Sequence, residues 1–181
     1  MRRTMLFALL PAILVAACSE DRGAVYSVPL DRARQVLLKT DLPPVFGSNA
    51  PGVRTQANKP TEVAWIVTNS GSEIMRYIAT LSDAGEGKTR VALELKGAKG
   101  GSAGDVEKRF ADNPSIKNLY LVAMKEQIAS TIEKRPLDMA KISPALMTAA
   151  LANMGNMRKS LDDAARASGE PDRPWPKLQY K

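Results

Sequence analysis

The chain contains no histidine and a single cysteine among 181 residues. Without an imidazole, neither a Ser-His-Asp relay nor a histidine-ligated zinc or blue-copper site can be assembled. A lone cysteine cannot close an internal disulfide, and an odd thiol in an exported chain is a liability unless it has a use. Aromatic residues make up only 5% of the chain and are not interleaved with the basic ones, which argues against a nucleic-acid surface. Long apolar runs are missing as well. The longest, Leu6 to Val15 with Pro11 inside it, is about half the roughly 20 residues needed to cross a bilayer.

What is present begins with charge. Lys and Arg number 26 against 19 Asp and Glu, a formal charge of +7, and two of the basic residues, Arg2 and Arg3, sit at the extreme N-terminus. The remaining charges are scattered, as on a solvated surface with at most a mild attraction to anionic lipid or cell-wall polymer. Arg2-Arg3, the apolar run and the small residues Ala16-Ala17 before Cys18 follow the order of an export signal. Val15-Ala16-Ala17-Cys18 resembles the lipobox of bacterial lipoproteins, in which a dedicated peptidase cleaves before a cysteine that is then lipidated. The resemblance implies anchoring through Cys18, with Ser19 rather than an aspartate after it favouring the outer membrane and its periplasmic face. Two other outcomes fit the same residues: cleavage by ordinary signal peptidase to a soluble periplasmic protein, or an uncleaved inner-membrane anchor.

The organisation that follows is residues 1–17 as signal peptide, 18–24 as tether, 25–168 as one α+β domain and 169–181 as a proline-rich tail. Val25 to Val28 reads as a strand, followed by a short helix from Pro29 or Asp31 that carries Ala33, Val36 and Leu37 and stops before Pro43-Pro44. Gly47 to Asn58 reads as a loop on its Gly, Pro, Ser and Asn content. Three alternating runs come next: Thr61 to Asn69 with Val63, Trp65 and Val67 on one face; Glu73 to Leu81 with Met75, Tyr77, Ala79 and Leu81; and Thr89 to Lys96 with Val91, Leu93 and Leu95. Period-two alternation and tight turns predict an antiparallel meander of three to five strands, buried on one face and partly wet on the other. Beyond a glycine-rich break, Asp105 to Phe110 predicts a short helix. Ser115 to Arg135 predicts a long one bearing Leu121, Met124, Ile128 and Ile132, which should cover the meander. Ser143-Pro144 reads as the cap of a further helix to about Ala167, with Ala150, Met154, Met157 and Leu161 on one stripe.

Candidate chemistry is thin. Gly100-Gly101-Ser102-Ala103-Gly104 matches a hydrolase elbow, but no histidine exists to activate the serine and no serine has a lysine three residues on. Gly85-Glu86-Gly87-Lys88-Thr89 has the look of a P-loop end, yet a strand rather than a helix should follow, so a hairpin turn is the better reading. Met154 and Met157, one turn apart, suit core packing, an adaptable binding surface or a soft cuprous ion. Glu126, Asp105 and Glu107 supply carboxylates without a facing partner and read as surface or helix-capping groups. Trp175, between two prolines, suits a tail packed on its own domain or a motif for a partner. No catalytic residue, cofactor or metal follows from any of these.

The order of short strand, short helix, loop, meander, glycine-rich break and long helix is similar to the helix-grip arrangement of the START and polyketide-cyclase-like superfamily. The matching stretches are Val25 to Lys39, Thr61 to Lys96 and Ser115 to Arg135, with Gly87-Lys88-Thr89-Arg90-Val91 similar to a hairpin entry there. That family has more strands than can be read here, and it lacks the last helix. The resemblance implies a curved sheet gripping a helix around an apolar cavity, here between Trp65, Tyr77 and Leu93 on the sheet and Leu121, Met124 and Ile128 on the helix. Two functions follow as expectations: a non-enzymatic envelope module that contacts membrane, cell wall or an envelope protein, or a carrier of a lipid-like or other apolar small molecule. The first requires a filled core and the second a dry cavity.

Overall fold

The computed structural model describes residues 23–46, 52–100 and 104–167. Cys18 and the whole signal segment, Ser102 and the tail with Trp175 lie outside the described residues. The architecture is α+β: an open five-stranded antiparallel sheet with four helices in the order β1 (Ala24–Tyr26), α1 (Leu30–Leu37), β2 (Gly52–Lys59), β3 (Glu62–Asn69), β4 (Ser72–Asp83), β5 (Thr89–Gly97), α2 (Val106–Asp112), α3 (Pro114–Glu133) and α4 (Met139–Ala167). Strands lie in the order β1-β5-β4-β3-β2, so β2 to β5 form a meander and β1 joins its far edge.

The alternation sets the register. Trp65 pairs with Tyr77 and Tyr77 with Leu95, while Val63 pairs with Ala79 and Ala79 with Leu93. Each row therefore puts large apolar side chains on the same face. Ser70 and Gly71, both at positive φ (49° and 80°), make the β3–β4 turn with the twist that a two-residue hairpin needs. The opposite face is drier at its centre than alternation alone suggests. Ala64 and Ile66 are buried there, and Ile66 is flanked in register by Arg54 and Arg76, whose long stems can cover apolar surface while the heads reach water.

Two readings of the sequence are corrected. The expected loop over Gly47 to Asn58 contains β2, an edge strand: Val53 and Thr55 pair with Val67 and Trp65, but its outermost residues are exposed. An edge strand buries too little to impose a hydrophobic pattern. The last helix starts at Met139, not at Ser143-Pro144. Asp138 caps it by accepting a hydrogen bond from the Ala140 N–H (3.0 Å), and Ser143 instead donates to the Met139 carbonyl (2.8 Å). Pro144 sits inside the helix, at the cost of one backbone bond. In α1, Asp31 lies in the first turn and Pro29 holds the cap position.

Helix α3 follows the sequence closely, with Pro114 in its first turn and Lys134 ending it in the left-handed region. Asn113 holds its N-cap position but makes no side-chain cap; its amide donates back to the Arg109 carbonyl (3.2 Å) and closes α2. Helix α2 packs tightly on the end of β5. The Gly97 N–H donates to Glu107 Oε2 (2.6 Å), and a side chain at Gly97 would come within 2.7 Å of the Glu107 Cα. Helix α3 is apolar on two sides. Met124, Ile128 and Ile132 pack toward the sheet, whereas Leu119 and Ala123 meet Ile142, Ala145 and Ala149 of α4. The result is three layers: sheet, α3 and α4.

Candidate functional site

The structure gathers the six residues of the expected cavity into one cluster between sheet and α3, but they fill the space. Trp65, Tyr77 and Met124 are completely buried, Ile128 and Leu93 nearly so, and Leu121 packs against them from the margin. The polar handles of the two aromatics are satisfied internally. Trp65 Nε1 donates to the Thr40 carbonyl (2.9 Å) and the Tyr77 hydroxyl to the Tyr120 carbonyl (3.3 Å). Burial pushes the Tyr77 phenol far above its ordinary pKa, so it remains a neutral donor. Groups committed in this way hold a core together rather than meeting a ligand.

A cleft of about 270 Å³ opens where β1 and β5 diverge from α3, lined by Gly23, Tyr26, Val91, Leu93, Lys125 and Ile128. Two of the expected residues, Leu93 and Ile128, reach it; Trp65, Tyr77, Leu121 and Met124 do not line it. Gly23 is required at its rim. Its φ is +74°, and a side chain there would press on the backbone of Val91 and Ala92 (2.7–2.8 Å). Tyr26 has its pKa pushed up to about 12, first by burial and then by the negative charges of Glu133 and Glu126. Gly23, Tyr26 and Lys125 belong to no motif and come together only through the pairing of β1 with β5 and the packing of α3.

Glu126 is neither on the surface nor an idle carboxylate. Its side chain is only 4% exposed and accepts two hydrogen bonds from Arg135 (the Nη2–Oε2 contact is 3.0 Å), one from the Asp138 N–H (3.0 Å) and an ion pair from Lys141 (3.4 Å). The Arg135 guanidinium, ahead of the other donors and against the effect of burial, lowers its pKa to about 2. Since Asp138 is the cap of α4, this carboxylate fixes the turn that carries α4 out of α3. Arg135, Pro136 and Asp138 crowding the end of a predicted helix were the available signal.

Helix α4 presents a second apolar stripe in addition to the one buried on α3. Met139, Leu146, Met147, Leu151 and Met154 are all exposed, the last three by 61%, 64% and 62%. Of the predicted stripe, Ala150 and Met154 face solvent, whereas the side chains of Met157 and Leu161 lie outside those described. The Gly85-to-Lys88 segment is a hairpin turn between β4 and β5, closed by the Ala84 N–H to the Lys88 carbonyl (2.9 Å). Among the described residues no helix is long and apolar enough to cross a membrane. No protein-family model, no curated protein and no solved structure matches this chain.

Proposed function

We propose that this chain is a lipid-anchored envelope protein, held by Cys18 on the periplasmic face of the outer membrane, whose domain is a non-enzymatic interaction module. The observation that carries the module reading is a contrast in apolar surface. The space where a ligand would sit is occupied by Trp65, Tyr77 and Met124, while five large apolar side chains of α4 face water. A contiguous exposed apolar strip on an otherwise charged domain marks a contact surface. The anchor reading is supported by the order Arg2-Arg3, apolar run, Val15-Ala16-Ala17-Cys18, and acylation would give the lone thiol its use.

The carrier reading retains one supporting observation, the cleft beside Tyr26. At about 270 Å³ it falls just below the roughly 300–1,000 Å³ of small-ligand sites, and Lys125 on its wall suits an amphiphile better than a purely apolar molecule. Two measurements test the proposal. Labelled palmitate should enter the wild type and not Cys18→Ser, and only the variant should leave the membrane on high-salt washing; a Cys18→Ser protein that stays would overturn the anchor. Native mass spectrometry of the Cys18→Ser protein should show the polypeptide mass without a small molecule. A stoichiometric co-purified lipid would replace the module with the carrier.

A further inference from the structure

We infer that the cleft beside β1 is an exchangeable binding site for a small neutral acyl compound. The ligand is an amide or ester whose carbonyl accepts a hydrogen bond from the Tyr26 hydroxyl while its alkyl chain lies along Val91, Leu93 and Ile128. The inference goes beyond the module reading, since no residue of α4 lines this cleft.

Trp65, Tyr77 and Tyr26 are the buried aromatics that carry a polar handle. Trp65 and Tyr77 donate to carbonyls within the fold. Tyr26 is the exception: it is only 8% exposed, yet its hydroxyl has no hydrogen-bond partner among the described residues. Folds rarely leave a buried donor without an acceptor, because the group has lost its water. The hydroxyl is also held protonated, burial and then the charges of Glu133 and Glu126 pushing it up to about 12. Tyr26 lines the cleft, so the missing acceptor is one that enters from solvent. Water alone suits the place poorly. It needs about two to four polar partners, and Val91, Leu93 and Ile128 present hydrocarbon.

Size and charge narrow the class. Ala24 and Tyr26 are two residues apart on β1 and point to the same side; Ala24 is exposed at the mouth and Tyr26 is buried within. At roughly 30 Å³ per water, the cleft of about 270 Å³ holds about nine waters, or a molecule of about that many non-hydrogen atoms. A single medium-length chain fits, and a two-chain lipid does not. Glu133 and Glu126 act on the hydroxyl and would repel an anion beside it, while Arg135 is bound to both of them. Lys125 lines the same cleft, so a carboxylate of equal chain length is the competing ligand. Open at the Ala24 mouth and held by a single hydrogen bond, the acyl compound exchanges and is lost on purification.

Octanamide is a probe of the right size. Titrated into the Cys18→Ser protein, it should saturably shift the nuclear magnetic resonance signals of Ala24, Val91, Leu93, Lys125 and Ile128, and leave those of α4 in place. Tyr26→Phe removes an oxygen that has no partner in the fold. It should keep the wild-type melting temperature and weaken octanamide roughly three- to tenfold, the worth of one neutral hydrogen bond. Tyr77→Phe gives up the bond to the Tyr120 carbonyl and should melt lower with octanamide affinity unchanged. Ala24→Phe, at the exposed mouth, should block binding without lowering the melt. Octanoate should bind more weakly than octanamide. No saturable shift up to the solubility of octanamide overturns the site. Equal affinity in wild type and Tyr26→Phe overturns the assignment to Tyr26, and tighter binding of octanoate overturns the neutral class. A protein that purifies empty and takes up no octanamide loses this site and keeps the module, whereas failure of the module, a lipid retained one to one, is read from the native mass before any octanamide is added.

Discussion

The two sides of α3 face very different surroundings. Toward the sheet, aromatic and β-branched side chains such as Trp65, Tyr77, Val63, Val67 and Ile128 pack with Met75, Met124 and four leucines, most of them locked in register by strands β3, β4 and β5. Such side chains have few rotamers and tolerate one arrangement. Toward α4, the shared contact is made largely of small residues, Ala123 against Ala145 and Ala149, with Leu119 and Ile142. Beside it the helix offers Leu146, Leu151 and three unbranched methionines to water. Methionine adapts to whatever covers it. The domain thus keeps its stability in one layer and its adaptable apolar surface in another, so the two should respond separately to mutation.

The largest effect should come from the middle of the sheet. Trp65→Ala removes the largest buried side chain and leaves the Thr40 carbonyl without its donor, and the expected loss is about 3–5 kcal/mol in a denaturant melt. A loss under about 1 kcal/mol would mean that the layer is loosely packed and that the contrast with α4 is false. Next is a neighbouring pair. Leu93 faces α3 but borders the cleft, so Leu93→Ala should cost about 2 kcal/mol, the low end for such truncations. Glu94, exposed and paired with Lys96 at the surface (3.1 Å), should cost under about 0.5 kcal/mol when replaced by Ala. Equal effects would show that the strand faces are misassigned.

The joint between the layers has its own signature, in pH. Glu126 titrates at about 2 in the folded protein against an ordinary 4.5. A carboxylate held below its unfolded value adds stability that is fully present above pH 4.5 and is lost as pH falls toward 2. Glu126→Gln should therefore be less stable than wild type at pH 7, by less than Trp65→Ala. The difference should shrink between pH 4.5 and 2, followed as the melting temperature across that range. A difference independent of pH would show that the Arg135–Glu126 pair does not set the joint.

How much of this was legible depends on what each segment buries. Strands β3, β4 and β5 could be read because Val63, Trp65, Tyr77 and Leu95 each bury one face, and alternation is the trace of that burial. Strand β2 could not, since Arg54, Gln56 and Lys59 obey edge requirements and not core ones. The start of α4 was misread because Ser143-Pro144 has the chemistry of a cap, while the cap in use, Asp138, depends on a carboxylate twelve residues earlier on α3. The six residues named for a cavity lie in or against one cluster. Whether they enclose a void or fill it turns on how closely α3 approaches the sheet, and no local pattern records that distance. The outward stripe of α4 was half legible: Ala150 and Met154 were on it, but only the packing of Ile142, Ala145 and Ala149 shows which side is left over.

The smallest expected effect tests whether the layers are independent. Gly155 lies in the exposed half of α4 and has open space where a side chain would stand. Glycine in a helix interior is about 0.8–1 kcal/mol less favourable than alanine, so Gly155→Ala should firm this half of the helix by about that amount. Where the gain appears is the informative part. In the Cys18→Ser protein, far-ultraviolet circular dichroism should show more helix while the denaturant midpoint of the core stays put, because no described side chain of this half is buried on the domain. A midpoint that rises together with the helix content would mean that α4 is coupled to its own domain along its whole length, and the comparison between a stable layer and an adaptable one would fail.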